Sequence, residues 1–267
     1  MAQLTDRSDT QIVATIGPSS GAREKMSRMI EAGMDIARLN CTWGDPAQHE
    51  SFIEPLREEA KKLGRRVPWI LDLPGPRVED GAHHHVGTGP VITDEDIEHV
   101  RFGIAHHVEY FAQSFVSRAE DVTRLRDIVR AEGGAARIIA KIERAEALRD
   151  IQAILRVSDA IMVARGDLGN EIPLETIPFV EADLIKAARA AKRPVIVATE
   201  MLSSMIDTEH LSRADVTDIA YAVMHGADCV MLSDETARGR FPIESVEMME
   251  KTLLEAEKHI TIRRNAL

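Results

Sequence analysis

Two short apolar runs in this chain end in acid. The first reads Ile138-Ile139-Ala140-Lys141-Ile142-Glu143, and the second runs from Ala160 through Arg165-Gly166-Asp167-Leu168-Gly169. A helical pattern lies between them. If the runs are neighbouring parallel strands, Glu143 and Asp167 emerge on one rim, with Lys141 two residues before the first of them. Two carboxylates beside a fixed ammonium suit a hard divalent cation and a small anionic substrate.

The elements that must hold these groups alternate strand and helix eight times. The strand candidates are Gln11–Gly17, Asp35–Cys41, Val67–Leu73, Tyr110–Val116, Arg137–Glu143, Ala160–Arg165, Pro194–Thr199 and Asp228–Ser233. Most are continuous apolar runs, as strands buried on both faces should be. Between them, Arg118–Ala131 sets Val122, Leu125, Ile128 and Val129 on one helical face. Leu174–Lys192 and Arg213–His225 follow the same rule, and Gly133-Gly134 and Gly226 read as helix stops. Eight such units in 267 residues predict a single (β/α)8 TIM barrel spanning residues 1–267. Residues 74–93, rich in Gly, Pro and His, break the rhythm as a long loop.

The bulk numbers narrow the partners. A net charge of −11 argues against nucleic acid or an anionic membrane as the main partner. Two cysteines, Cys41 and Cys229, make no disulfide framework, which points to a reducing cytoplasm. The first ten residues are polar, so no signal peptide is expected, and no apolar run nears the roughly 18 residues of a membrane span. A homo-oligomer is possible, since Met201, Met205, Met248 and Met249 could serve an interface, although the core is the better reading.

In a TIM barrel the active site gathers at the C-terminal ends of the strands. Those ends carry Arg38, Asn40 and Thr42; Asp72; Lys141 and Glu143; Arg165, Gly166 and Asp167; Thr199 and Glu200; and Ser233, Asp234 and Glu235. Each has a plain structural use. Lys141 can snorkel from a strand end. Glu143 and Asp167 can sit on helix dipoles, Asp72 can make a turn, and Thr199 can cap a helix. His83-His84-His85 can be a loop tip rather than a metal site. The joint occurrence on one rim favours chemistry.

With these residues assembled, the chain resembles the catalytic barrel of the pyruvate kinase family. The matching stretches begin with Ile12-Val13-Ala14-Thr15-Ile16-Gly17-Pro18-Ser19-Ser20 and Ala37-Arg38-Leu39-Asn40. They continue through Leu71-Asp72-Leu73-Pro74-Gly75-Pro76, Ser114-Phe115-Val116 and Lys141-Ile142-Glu143. Ser158–Gly169, Ala198–Leu202 and Gly226–Ala237 complete the set. The resemblance implies that Glu143 and Asp167 bind Mg2+ or Mn2+, and that Lys141 and Arg38 face phosphoryl or enolate oxygens. The backbone at Arg165, Gly166 and Asp167 would hold a substrate carboxylate. Thr199 would lie near the substrate methyl group, and Ser233 with Glu235 would support the site. Asn40, Thr42 and Asp72 would bind a monovalent cation such as K+.

The departures are as informative. Family members insert a β-rich lid after the third strand and add a C-terminal domain. Here residues 74–93 stand in the lid's place, a family His is Trp43, and a nucleotide-side Arg is Glu79. An anion beside a triphosphate reverses that interaction's sign. The nucleotide half of the site is therefore expected to be lost and the metal and enolate half retained.

The favoured expectation is a metal-dependent carbon–carbon lyase, of aldolase or decarboxylase type, acting on a pyruvate-like 2-oxo acid through a metal-stabilised enolate. Phosphoryl transfer involving phosphoenolpyruvate is the alternative, and a non-catalytic metabolite sensor is another. A Schiff base through Lys141 would need a depressed lysine pKa.

Overall fold

The computed structural model describes residues 7–80, 83–86 and 90–260. Among the described residues, ten strands follow in chain order: β1 Gln11–Thr15, β2 Met34–Asn40, β3 Trp69–Leu73, β4 Arg77–Asp80, β5 His83–Val86, β6 Tyr110–Gln113, β7 Arg137–Ile142, β8 Ala160–Ala164, β9 Val195–Ala198 and β10 Cys229–Leu232. Eight of them close a parallel barrel in the order β1-β10-β9-β8-β7-β6-β3-β2. The expected (β/α)8 architecture is what the chain adopts.

Alternation along each strand divides the core in two. Val13, Ile36, Ile70, Tyr110, Ile139 and Met162 fill the barrel's inside. Their neighbours Ile12, Leu71, Ile138 and Val163 pack outward beneath the helices. The helix Ala119–Ala131 buries Val122, Leu125 and Val129 against the strands, and Ile128 packs at the margin of that cluster. The helix Arg213–His225 begins with a capping box of Ser212 and Asp215 and stops at Gly226, whose φ of 96° is left-handed.

Two sequence expectations change. Several strands end earlier than the apolar runs, because the chain leaves the ladder through left-handed residues, Phe115 at φ 56° after β6 and Thr199 at φ 71° after β9. Within residues 74–93, β4 and β5 pair antiparallel, with Arg77 opposite Val86 and Asp80 opposite His83. The segment is thus partly a hairpin. Its Gly81 and Gly87-Thr88-Gly89 lie outside the described residues, as do the side chains of Glu79, Asp80 and His83–Val86. Among the described residues, no helix is long and apolar enough to cross a membrane.

Leu125 is fully buried where its helix meets the barrel. Leu125→Ala should lower stability by about 2–5 kcal/mol, the cost of lost burial plus a residual cavity, read as a lower urea midpoint.

Candidate active site

The site is the next layer above the apolar plug. Counting two residues onward from the inward-facing Val13, Ile36, Ile70 and Ile139 reaches Thr15, Arg38, Asp72 and Lys141. Two further from Lys141 stands Glu143. The same alternation that packs the barrel therefore aims these polar groups into its mouth. Thr15 and Arg38 are register partners on β1 and β2, and Asn40 and Asp72 are partners on β2 and β3.

Asp72, with no exposed surface, joins this layer together. Arg38 donates from Nε to Asp72 Oδ2 at 2.7 Å and from Nη1 to Thr15 Oγ1 at 2.9 Å. Lys141 Nζ lies 3.0 Å from Asp72 Oδ1 and 2.9 Å from Glu143 Oε1, and donates to Ser114 Oγ at 2.7 Å. The second oxygen of Glu143 accepts the Phe115 N–H at 2.7 Å.

The charges are stabilised by one another. Burial pushes the Asp72 carboxyl up, but Lys141 and Arg38 outweigh it and hold the group below its usual range. Burial opposes the Lys141 ammonium, but Asp72 and Glu143 prevail and raise it above an ordinary lysine. The depressed pKa that a Schiff-base lysine requires is therefore absent. Glu143 is raised by burial first; Lys141 pulls it down, and the nearby Asp167 pushes it up again.

The remaining rim is braced by backbone contacts. Arg165 turns its guanidinium away from the cavity, to Glu181 at 3.1 Å, Asp218 at 2.6 Å and the Thr199 carbonyl at 2.6 Å. The Gly166 N–H donates to Thr199 Oγ1 at 2.9 Å. Thr199 and Glu200 both hold positive φ, at 71° and 57°. For a β-branched residue that conformation costs on the order of 1–3 kcal/mol and persists only where the surroundings impose it. Glu235 accepts N–H groups from Leu202 at 3.0 Å and Ser233 at 2.7 Å, tying the chain after β9 to the end of β10. Cys41 and Cys229 are buried, free thiols raised well above the ordinary value by desolvation, so both belong to packing.

These groups surround a cavity of about 550 Å³ lined by Arg38, Lys141, Glu143, Asp167, Thr199 and Ser233, with Asn40, Thr42 and Gly166 at its edges. A second cavity of about 390 Å³ adjoins it and shares Arg38, Asn40, Ser233 and Trp43. Trp43 itself is 63% exposed.

A divalent cation suits Glu143 and Asp167. Both are hard oxygen donors, and Glu143 is a buried carboxyl destabilised by its acidic neighbour, a repulsion that a cation between them would remove. Among the described residues, no cluster of three or more His, Cys, Asp or Glu forms a complete cage, so substrate oxygens or water would finish the shell. The monovalent-cation set fits less well. Both Asp72 oxygens face Arg38 and Lys141, Asn40 Oδ1 accepts the Thr42 N–H at 3.2 Å, and the Arg77 guanidinium stands 3.5 Å from Thr42 Oγ1. Protein cations already occupy that corner.

Sequence reading brings Lys141, Glu143, Asp167, Arg38, Asp72 and Thr199 to one rim, and the structure places them there. It assigns no part to Ser114 or Thr15, although both lie inside recognisable motifs at strand ends. It also overlooks Arg77, which follows Gly75-Pro76 directly after the Asp72 strand.

A family model described as the pyruvate kinase barrel domain matches residues 7–89 and 84–246. A pyruvate kinase of Bacillus licheniformis is 34% identical over 93% of this chain and 57% of its own length. One from Thermococcus litoralis is 33% identical over 94% of this chain and 70% of its own. Plastidial pyruvate kinase 3 of Arabidopsis thaliana is 32% identical over 97% and 60%. The chain thus spans somewhat over half the length of the first of these relatives. Their alignments, of 334 residues for the Bacillus protein, exceed the 267 residues of the chain, so the relatives carry inserted segments. These names overturn the expectation of a carbon–carbon lyase, because the relatives are named as kinases, whose chemistry is phosphoryl transfer.

Arg165 offers a stability test with a pH signature. Arg165→Met leaves the buried Glu181 without its main partner and should cost about 3–5 kcal/mol near pH 7. Burial and Asp218 both raise the Glu181 carboxyl, and Arg165 is the main group that lowers it, ahead of His225. Without Arg165, the penalty falls on the charged form and vanishes on protonation. The loss should therefore shrink as pH falls toward about 4.3, the unfolded glutamate value, in urea titrations at stepped pH.

Proposed function

The chain belongs to the pyruvate kinase family, and we propose that its barrel catalyses phosphoryl transfer involving phosphoenolpyruvate. The observation that carries this reading is the buried layer of Arg38, Asp72, Lys141 and Glu143 at the barrel mouth. Two cations are held there in fixed positions, Arg38 by Asp72 and Lys141 by Asp72 and Glu143. Preorganised charge aimed at oxygens is what phosphoryl transfer demands, since little covalent work falls to the protein.

In the forward direction the bond between phosphorus and the enol oxygen breaks, leaving its electron pair on that oxygen. Phosphorus bonds to a terminal oxygen of an acceptor diphosphate. The resulting enolate takes a proton at C3 and becomes pyruvate. Lys141 sits where it can face the departing enol oxygen, and its raised pKa keeps it charged throughout neutral pH. Arg38 faces the phosphoryl side. Gly166 brings the backbone to the cavity edge, where a substrate carboxylate would replace Thr199 Oγ1 as the acceptor of its N–H. Thr199, locked in its left-handed conformation, would relay the proton to C3. Glu143 and Asp167 would hold Mg2+ or Mn2+, which supplies Lewis-acid polarisation of the substrate oxygens when bound.

The adjoining cavity beneath Trp43 is the proposed entry for the acceptor. Residues 74–93 are proposed to stand in for the lid; in support, the family match breaks into two parts at residues 84–89, inside that segment. The buried free thiols fit a cytoplasmic setting.

The test is ATP formation from phosphoenolpyruvate and ADP with Mg2+. The chain should produce ATP, and Lys141→Met should lower kcat by about 10²–10³-fold, the usual cost of one transition-state donor. No ATP from the folded wild-type chain would overturn the reading.

A further inference from the structure

Arg77 enters the cavity from outside the barrel strands, as the first residue of β4. The turn that delivers it is fixed. The Gly75 N–H donates to Asp96 Oδ1 at 3.0 Å, and Asp96 also closes the capping box with Thr93 at the next helix. Gly75 has φ of 65°, and a Cβ there would stand 2.9 Å from the Phe115 ring. The Arg77 N–H donates to the Gly75 carbonyl at 2.8 Å.

The guanidinium is held far less firmly than its backbone. Nη2 lies 3.8 Å from Asp167 Oδ1, and Nη1 lies 3.5 Å from Thr42 Oγ1. Nε is buried and has no acceptor. Both contacts are longer than a normal N–H···O bond. A desolvated donor without a partner is costly, and ligands commonly supply the missing acceptor. Arg38 and Lys141 differ, because each lies within 3.0 Å of carboxylates that match its charge. Those two cations are thus already engaged by Asp72 and Glu143. Arg77 is the cavity cation whose donors are least engaged by protein acceptors.

We propose that Arg77 binds the phosphoryl group of the substrate by an exchange of partners. Its guanidinium leaves Asp167 for the phosphoryl oxygens, so the divalent cation meets one competitor fewer at that carboxylate. The proposal rests on the phosphoryl-transfer reading and adds a residue to it. A planar guanidinium matches two phosphate oxygens at once, which a lysine cannot do. In the free protein Arg77 and the metal compete for one carboxylate. Once substrate holds Arg77, that competition ends, so substrate and metal bind cooperatively, each to the same degree for the other.

The exchange gives Arg77→Gln two effects of opposite sign. Phosphoenolpyruvate binding, measured calorimetrically in excess Mg2+, should weaken roughly 10–100-fold, the loss of a charge-assisted contact. Mn2+ binding without substrate, read from the free-ion electron paramagnetic resonance signal, should tighten about 1.5- to 5-fold, since a partly exposed competitor is gone. Arg77→Lys should fall between wild type and Gln in phosphoenolpyruvate affinity, and it decides the question if Gln alters the circular dichroism spectrum. Unchanged phosphoenolpyruvate affinity in the variants, with wild-type binding intact, overturns the role of Arg77 and leaves phosphoryl transfer standing. Weaker Mn2+ binding in Gln also overturns it, because the guanidinium would then support the metal site rather than compete for it. Absence of phosphoenolpyruvate binding in wild type would remove both.

Discussion

The ion network around Asp72 is the constraint on which the rest of the site depends. A carboxylate with no exposed surface is stable only if cations reach it, and Arg38 and Lys141 do so from the strands β2 and β7. Burying such a network is costly in itself, and replacing it with apolar side chains often stabilises a protein. Its presence above a well-packed apolar plug is thus poorly explained as a stability device. What it provides is position: Arg38 and Lys141 lose freedom because each satisfies several acceptors at once. Water cannot approach from below, where Val13, Ile36, Ile70 and Ile139 close the barrel. The local field is correspondingly strong.

Around this layer the rim is built from a different material, strained backbone. Phe115, Thr199 and Glu200 hold positive φ at strand ends. The first two are fixed by side chains that catch main-chain groups: Glu143 takes the Phe115 N–H, and Arg165 takes the Thr199 carbonyl. Arg165 is thereby a brace whose charge is absorbed by Glu181 and Asp218 on the helix side. A charged residue at a strand end need not face the substrate. Here it holds the neighbouring loop in a conformation that places Thr199 Oγ1 on the Gly166 N–H.

Much of this was legible in the residues. Apolar runs ending in charge located the strands, and the parallel-strand reading put Lys141, Glu143 and Asp167 on one rim. Thr15 and Ser114 were harder to see, because a hydroxyl at a strand end carries no charge to mark it. Arg77 was hidden by its setting, since Gly-Pro-rich sequence reads as loop and says nothing about which way a following arginine turns. Its direction is set by the Gly75–Asp96 contact, which joins residues 21 apart. The reaction class was misjudged for a related reason. Glu79 and Trp43 alter the family pattern and read, in sequence alone, as loss of the nucleotide half. A metal beside an enolate-stabilising lysine serves lyases and kinases alike, so those residues could not choose between them. The comparison with relatives over 93% or more of the chain counts against the lyase and is what the phosphoryl-transfer proposal draws on.

The division between a rigid floor and a loosely held Arg77 follows from where each group is anchored. The floor residues stand on barrel strands, each hydrogen-bonded on both sides, so their backbone cannot shift without opening the barrel. Arg77 stands on a two-stranded hairpin, which pairs only with itself and lies outside the closed sheet. Such an element can adjust at small cost, while the turn at Gly75 keeps it over the cavity. Phosphoryl transfer sets two demands that conflict: charges must be fixed before the reaction, yet anionic ligands must enter a cavity walled by carboxylates. Fixing every cation to a carboxylate meets the first demand and defeats the second. One guanidinium on a separate element, with long contacts and an unused buried donor, meets both, because it can stand beside Asp167 and turn to an arriving anion without disturbing Asp72 beneath it.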